Sequence, residues 1–455
     1  MKPAGAAMTA GKRARSGHFS KRSGTLFLYE LRKIAETRFL PVFLLLFLLA
    51  GCYIAGNNPI FFQKGALDSL NDIAAEYGVK ITDKTREILL KEQAESGEQV
   101  EALYRKTYGE PEEGLEAPAD LIFSMLYEKG GYGLTEEEKA FLWRADTVNS
   151  LFPVLIPEPE DLQISASPSF LKTKKKTAME VLPLTGVEKD LFLSAYKDLE
   201  KQSETLSKEG AGATLFPNKE YVHESLYSLI RFLLIFSLLF LLLIFSFSMN
   251  QEFASRTAPL VYSTLHGRRY WKYPALASAV CGLVGSLLIF AVPLAVYVSR
   301  TGYGLFWDAF LTSSLSTQPA VPFATLTLGQ YFLLTLSICA LLLVFFTLLL
   351  MSVSFFARSS LGAIAAFAAV FGVFLLPAYI LPLWLPKVIA QCSPFAMLMR
   401  CGDWFCSLFQ TQIQDQYILL PYLPGQDAYT LLGWALLLTG LFLCARRYFL
   451  RRASL

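Results

Sequence analysis

Residues Asn250 to Tyr273 read NQEFASRTAPLVYSTLHGRRYWKY, a short polar segment between two long apolar runs, Leu226–Ser248 and Pro274–Val298. Each run has the roughly 20 residues a helix needs to cross a hydrocarbon core. The segment between them is therefore a loop at one face of a membrane. It carries Arg256, Arg268, Arg269 and Lys272 against one acid, Glu252. Short loops rich in Lys and Arg stay on the cytoplasmic side, which places this one inside. Leu260, Val261 and Leu265 recur at helical spacing, which predicts a short amphipathic helix lying along the membrane.

Working outward, four more apolar runs appear: Phe39–Ala55, Leu328–Phe356, Leu361–Leu385 and Tyr429–Ala445. Only 17% of the 455 residues are charged, against about 25% in a soluble domain. Mean hydropathy is +0.40. The chain reads as an all-α polytopic membrane protein with six transmembrane helices and a mostly helical extracytoplasmic domain.

The charges test that layout. With the N-terminus inside, the inner segments are residues 1–38, 249–273, 357–360 and 446–455, and they hold 18 Lys and Arg against three acids, Glu30, Glu36 and Glu252. The short outer segments, 299–327 and 386–428, hold Arg300, Lys387 and Arg400 against Asp308, Asp403, Asp415 and Asp427. The bias follows the positive-inside rule at every loop. Both termini are expected in the cytoplasm of a bacterial cell, with the helices in its plasma membrane.

Residues 56–225 form the long outer segment. Its stretch Gly56–Glu224 has 31 acids against 19 bases, a net of −12. Long segments translocate whatever their charge. Helical patterns run over Thr82–Tyr108, from Thr135 to Arg144, and over Gly186–Leu206; Thr135 and Glu138 have capping-box spacing. Asn149–Ser169 is rich in proline and reads as irregular, and Lys172–Lys176 reads as a solvated loop.

Before the first transmembrane run, Gly24–Arg38 puts Phe27, Leu31, Ile34 and Ala35 on one helical face and Arg32, Lys33 and Arg38 elsewhere. That pattern fits a helix at the membrane surface. The basic residues preceding it read as a disordered anchor rather than a nucleic-acid tail. Within the first run, Leu48-Leu-Ala-Gly-Cys52 has the form of a lipoprotein cleavage box, which would lipidate Cys52; a basic segment of about 38 residues before it is long for a signal peptide.

Arg231 lies inside the second transmembrane run. Such a residue either snorkels to the headgroups or marks a functional position. Cys392, Cys401 and Cys406 fall on the oxidising side, where they could pair or remain free thiols. The seven cysteines contain no C-x-x-C, and His18, His223 and His266 share no metal-ligand spacing. A phosphate-cradling G-x-x-x-x-G-K-[ST] is absent, as are G-x-S-x-G and H-E-x-x-H. The transmembrane runs carry no Asp or Glu of the kind a proton relay needs.

The order Glu252, Thr257, Leu260 with Ser263, Arg268 and Lys272 resembles the cytoplasmic coupling loop of type-2 ATP-binding-cassette (ABC-2) permeases. Arg256 stands where that family usually has glycine, and Gly267 where it usually has proline. The basic helix before the first span resembles the family's connecting helix, and Ser393-Pro-Phe395 its short outer helices. The resemblance covers roughly residues 24–55 and 226–447. It implies a permease subunit, not itself an enzyme, that exports an apolar or amphipathic cargo. It also implies coupling through Glu252, Arg256, Arg268, Arg269 and Lys272 to a separate ABC ATPase subunit carrying ATP and Mg²⁺, and a second permease copy, identical or not. No cofactor or nucleic acid is expected on this chain. A reading of another class is a membrane receptor or scaffold whose outer domain binds a partner.

Overall fold

The structure is a computed structural model, and it describes residues 25–57, 64–111, 115, 117–155, 168–208, 220–257, 270–311, 325–357, 359–381, 383–406, 408–413 and 416–452. Helix α1 spans residues 25–35 and leads through a turn into α2, Phe39–Gly56. The following domain contains α3 (Lys64–Tyr77), α4 (Asp83–Tyr108), α5 (Pro118–Phe123), α6 (Glu136–Leu155), α7 (Pro168–Val181) and α8 (Gly186–Lys208). Then come α9 (Glu220–Ala254), α10 (Lys272–Thr301), α11 (Leu328–Phe356) and α12 (Ser360–Ile380). Two short helices, α13 (Trp384–Ala390) and α14 (Pro394–Met399), precede an antiparallel hairpin of β1 (Leu408–Ile413) and β2 (Gln416–Pro421), and α15 (Gln426–Arg452) closes the chain.

Helices α2, α9, α10, α11, α12 and α15 are long and apolar enough to cross a membrane, and the protein is a multi-pass membrane protein. The fold is all but wholly helical, as the sequence predicts; the hairpin is the addition. Below, "domain end" is the end of the bundle that carries α3–α8, and "loop end" the opposite one.

The bundle is built around α9. Its 35 residues make ~52 Å of helix, more than the ~30 Å hydrocarbon core, so it projects past the core. The sequence reading gave only its apolar centre, Leu226–Ser248. Helix α9 packs on α10, α11, α2 and α12, and Leu229, Leu233, Leu234, Leu241 and Phe245 are fully buried. A helix apolar on every side is stable when neighbours cover it. Small residues allow the close approach. A Cβ on Gly51 of α2 would lie 2.8 Å from Cγ of Pro293 in α10 and 3.0 Å from Leu233 in α9. The Ala50-Gly51 step in the apparent cleavage box thus has a packing reason; Cys52 continues the same helix, half-buried.

The domain has an apolar core in two separate clusters and a second, composite core. In one cluster, α4, α5 and α6 enclose Val100, Tyr104, Leu121, Met125 and Leu142, while in the other Ile73 of α3 meets Leu89 and Val148. The sequence signals for these helices are met locally. Thr82 caps α4, its Oγ1 accepting from Thr85 N at 3.2 Å. Thr135 and Glu138 exchange capping bonds of 2.8 and 3.2 Å at the start of α6. Helix α6 runs on to Leu155, so Asn149–Leu155, expected to be irregular, is helical.

The second core is composite. Leu171 and Ala178 of α7 and Phe192, Tyr196 and Leu199 of α8 pack with Trp384 and Val388 of α13 and with Leu408, Ile418 and Leu420 of the hairpin. Tyr196 OH donates to Leu419 O at 2.9 Å, and Trp384 Nε1 donates to Pro421 O at 2.9 Å. Residues from between α2 and α9 therefore fold together with residues from between α12 and α15. The Lys172–Lys176 run, read above as a loop, lies on α7, because Leu171 and Ala178 supply a buried helical face.

Helix α14 turns back into the bundle rather than resting on its surface. Phe395 is fully buried, its ring 5.2–6.2 Å from those of Phe346, Phe367, Phe371 and Phe374. Residues 303–311, within the segment 299–327 read as an outer loop, are likewise packed: Tyr303, Phe306 and Leu311 are buried.

Candidate functional site

The site is built where α9 stops at the loop end. Thr257 N donates to Glu252 O at 3.0 Å and Arg256 N to Phe253 O at 3.2 Å. This is the paired pattern of a Schellman terminus, which requires a left-handed residue after the helix. Arg256 is that residue, with φ of 59°. Glycine suits this position, since a Cβ there is strained. The position where Arg replaces the usual residue of the resembled family is therefore the one where the backbone asks for glycine.

The terminus fixes Glu252, whose carboxylate is shared by two elements. Its Oε2 accepts from Thr257 Oγ1 at 2.8 Å, and its Oε1 accepts from Lys33 Nζ of α1 at 2.8 Å. Lys33 also lies 3.7 Å from Oε2 of Glu30. Glu30 is fully buried and its Oε1 accepts from the hydroxyl of Tyr270, just before α10. Lys33, Glu30, Glu252, Thr257 and Tyr270 thus form one network joining α1, the end of α9 and the start of α10.

Helix α1 reaches this network because Phe27, Leu31 and Ile34 pack on the bundle, with Glu30 in the same stripe. The sequence reading put Ala35 on that stripe and Lys33 off it. In the structure Ala35 is exposed and Lys33 is half-buried against Glu252. A charged side chain long enough to reach a partner overrides the apolar pattern here. Glu30, Lys33 and Tyr270 escaped the sequence reading. The one available signal was Glu30 itself, an acid within the apolar stripe of α1.

The far side of the loop is tied down as well. The ring of Trp271 packs edge-on against Phe355 of α11 at 5.3 Å, and the Arg446 guanidinium of α15 lies 5.6 Å from the Trp271 ring centre. Arg256 and Lys272 are exposed. Arg268, Arg269 and the expected amphipathic helix through Leu260, Val261 and Leu265 lie outside the described residues.

The intramembrane arginine sits elsewhere. Arg231 does not extend along the bundle surface: its Nη2 donates to Cys401 O, just beyond α14, at 3.0 Å. Tyr331 OH donates to Gly402 O beside it at 2.8 Å. Asp427 holds the same turn, accepting from Arg400 Nη2 at 2.6 Å and from Phe405 N at 2.7 Å. The re-entrant turn needs these donors because its carbonyls lie in an apolar interior.

Cys392, Cys401 and Cys406 are free thiols in the structure, one of the two states the sequence left open. Cys401 and Cys406 are buried, Cys401 beside Cys339 of α11, and Cys392 Sγ donates to Val388 O at 3.5 Å. His223 is buried with Nδ1 3.2 Å from Tyr303 OH. Among the described residues no group of three or more His, Cys, Asp or Glu could hold a metal.

Set against protein-family models, curated proteins and solved structures, the chain finds no match. The functional reading therefore rests on its own residues.

Proposed function

We propose that the chain is the permease subunit of an ABC-2 type transporter, which exports an apolar or amphipathic cargo under the power of a separate ATPase. The observation that carries this reading is the Lys33–Glu252 ion pair of 2.8 Å. It joins α1 to the end of α9, whose Glu252 also holds Thr257 of the following loop, so a push on α1 or on that loop arrives at the central helix. In this reading the loop end and both termini are cytoplasmic, and α3–α8 lie outside the plasma membrane of a bacterium. The exposed Arg256 and Lys272, with Arg268 and Arg269, face the ATPase subunit. ATP and Mg²⁺ bind there and not on this chain.

A second permease copy completes the assembly. Helix α9 is largely covered within its own protomer, whereas α12 leaves Ala365, Ala368 and Ala369 exposed, small residues of the kind that pack between membrane helices. That favours α12 as the helix that meets the second copy.

The test is purification of the chain from its native membrane in mild detergent, with its companions identified by mass. A nucleotide hydrolase that co-purifies, and that charge reversal at Arg268 and Arg269 releases, supports the reading. A chain that brings down no hydrolase sinks it.

A further inference from the structure

A cleft of about 570 Å³ opens between α3 and α6, far from the loop-end network. Trp143 of α6 lines it, lying directly over Gly65 of α3, where a Cβ would not fit. Trp143 also ends an aromatic strip. Its ring meets Tyr127 edge-on at 5.5 Å, and Tyr127 stacks on Phe123 at 5.1 Å. The π-helical turn Ser124–Glu128 follows Phe123 directly; such turns are frequent at functional sites. Phe123 is 54% exposed and Tyr127 38%, so the strip is open to a partner.

The charges around the cleft are unequal in what they have left to give. Arg144 is already held by Glu92 at 2.5 Å and Glu76 at 3.2 Å, and Lys139 by Glu136 at 2.9 Å. Asp68 and Asp72, one helical turn apart on α3, line the cleft and have no ion pair among the described residues. Lys64 is the one lining cation in that position. The body that holds the cleft, residues 64–155, has 19 acids against 10 bases, a net of −9, whereas residues 168–208 have six acids against eight bases. At the cleft itself the lining holds three acids, Asp68, Asp72 and Glu136, against three bases, Lys64, Lys139 and Arg144, but Arg144 and Lys139 are already neutralised by Glu92, Glu76 and Glu136.

We propose that this cleft binds a lysine- or arginine-bearing peptide segment. The two free carboxylates take its ammonium or guanidinium groups; Trp143 in the lining, and Tyr127 and Phe123 continuing from it outside the cleft, take its side-chain stems and cations. Open aromatic faces beside uncommitted carboxylates are the chemistry that recognises organic cations.

The test uses the full chain in nanodiscs of zwitterionic lipid, with binding of fluorescein-labelled octalysine followed by anisotropy. Octaglutamate and the neutral sugar chitohexaose serve as competing probes. D68N/D72N is expected to weaken octalysine binding about tenfold, since each carboxylate acts at short range in water. A140K, which adds a cation to an exposed lining position, is expected to weaken it comparably. E87Q/E98Q, a charge-matched change on the exposed face of α4, is expected to leave it within about twofold. The proposal is overturned if octalysine fails to bind, if D68N/D72N and A140K both bind like wild type, if E87Q/E98Q loses as much as D68N/D72N, or if chitohexaose is the probe that binds.

Discussion

Lys33 and Glu252 stand 219 residues apart in sequence, and Nζ of one lies 2.8 Å from Oε1 of the other. Both side chains are largely covered, at 20% and 14% exposure. The pair therefore falls between exposed ion pairs, which contribute little, and fully buried ones, whose disruption is costly. E252Q or K33M alone is expected to cost about 2 kcal/mol. K33E/E252K is expected to recover part of that loss. A double-mutant cycle on thermal unfolding in detergent measures the coupling; additive single effects would show that the contact carries no energy.

Arg256 occupies the left-handed position of a Schellman terminus. Arg256→Gly should relieve the Cβ strain, offset in part by the freer unfolded chain, for a net gain of about 0.5–1 kcal/mol. The melting temperature of the purified protein reads this directly. A fall would mean that the Arg256 side chain contributes more to the fold than its backbone costs.

Gly51 admits Pro293 and Leu233 to the α2 surface. G51V is expected to cost about 1–3 kcal/mol through overpacking, whereas C52A, at a half-buried position, should change stability little. If the mature protein proves to carry lipid on Cys52, with the preceding residues removed, α2 as described would be lost.

Asp427 compensates Arg400 in a buried setting, the two side chains 5% and 9% exposed. D427N leaves a buried guanidinium without its counter-charge and should cost about 3–5 kcal/mol. R400M/D427N, which removes the charge as well, should be less harmful than D427N alone. The reverse order would locate the energy in the Arg400 packing over Tyr422, 4.5 Å from its ring.

Glu138 titrates at about 2, chiefly because it accepts from Thr135 N, with Lys106 and the Thr135 hydroxyl adding to this. A folded-state value below the ordinary carboxylate range of about 4.3 means that the stabilisation is full above that range. It is lost as pH falls through the folded value near 2. E138Q should flatten this acid limb of the unfolding curve; circular dichroism melts taken stepwise through the window would show it, and an unchanged limb would refute the assignment.

Much of the membrane architecture was legible along the chain. Six spans and their loop charges could be counted because hydropathy and helical period are sums over neighbouring residues. The starts of α4 and α6 were legible for a related reason: Thr82 and Thr135 cap amides three residues away. Helix α7 was not, since its lysines mask the two buried positions, Leu171 and Ala178, that make it a helix. The β1–β2 hairpin is stabilised by α7, α8 and α13, and nothing within residues 408–421 announces that support.

The candidate site divides in the same way. The sequence by itself determined that Glu252 and a cluster of cations fall in a short polar stretch between two apolar runs long enough to span, because hydropathy and charge are read from neighbouring residues. Only the tertiary structure decided that Glu252 is held by Lys33, that Glu30 is buried under Tyr270, and that Arg231 turns inward to the Cys401 carbonyl. Those partners are brought together by the packing of α1, α9 and the re-entrant α14. In an apolar interior each charge or carbonyl must find a partner, and which partner lies within reach depends on how the helices cross, not on spacing along the chain.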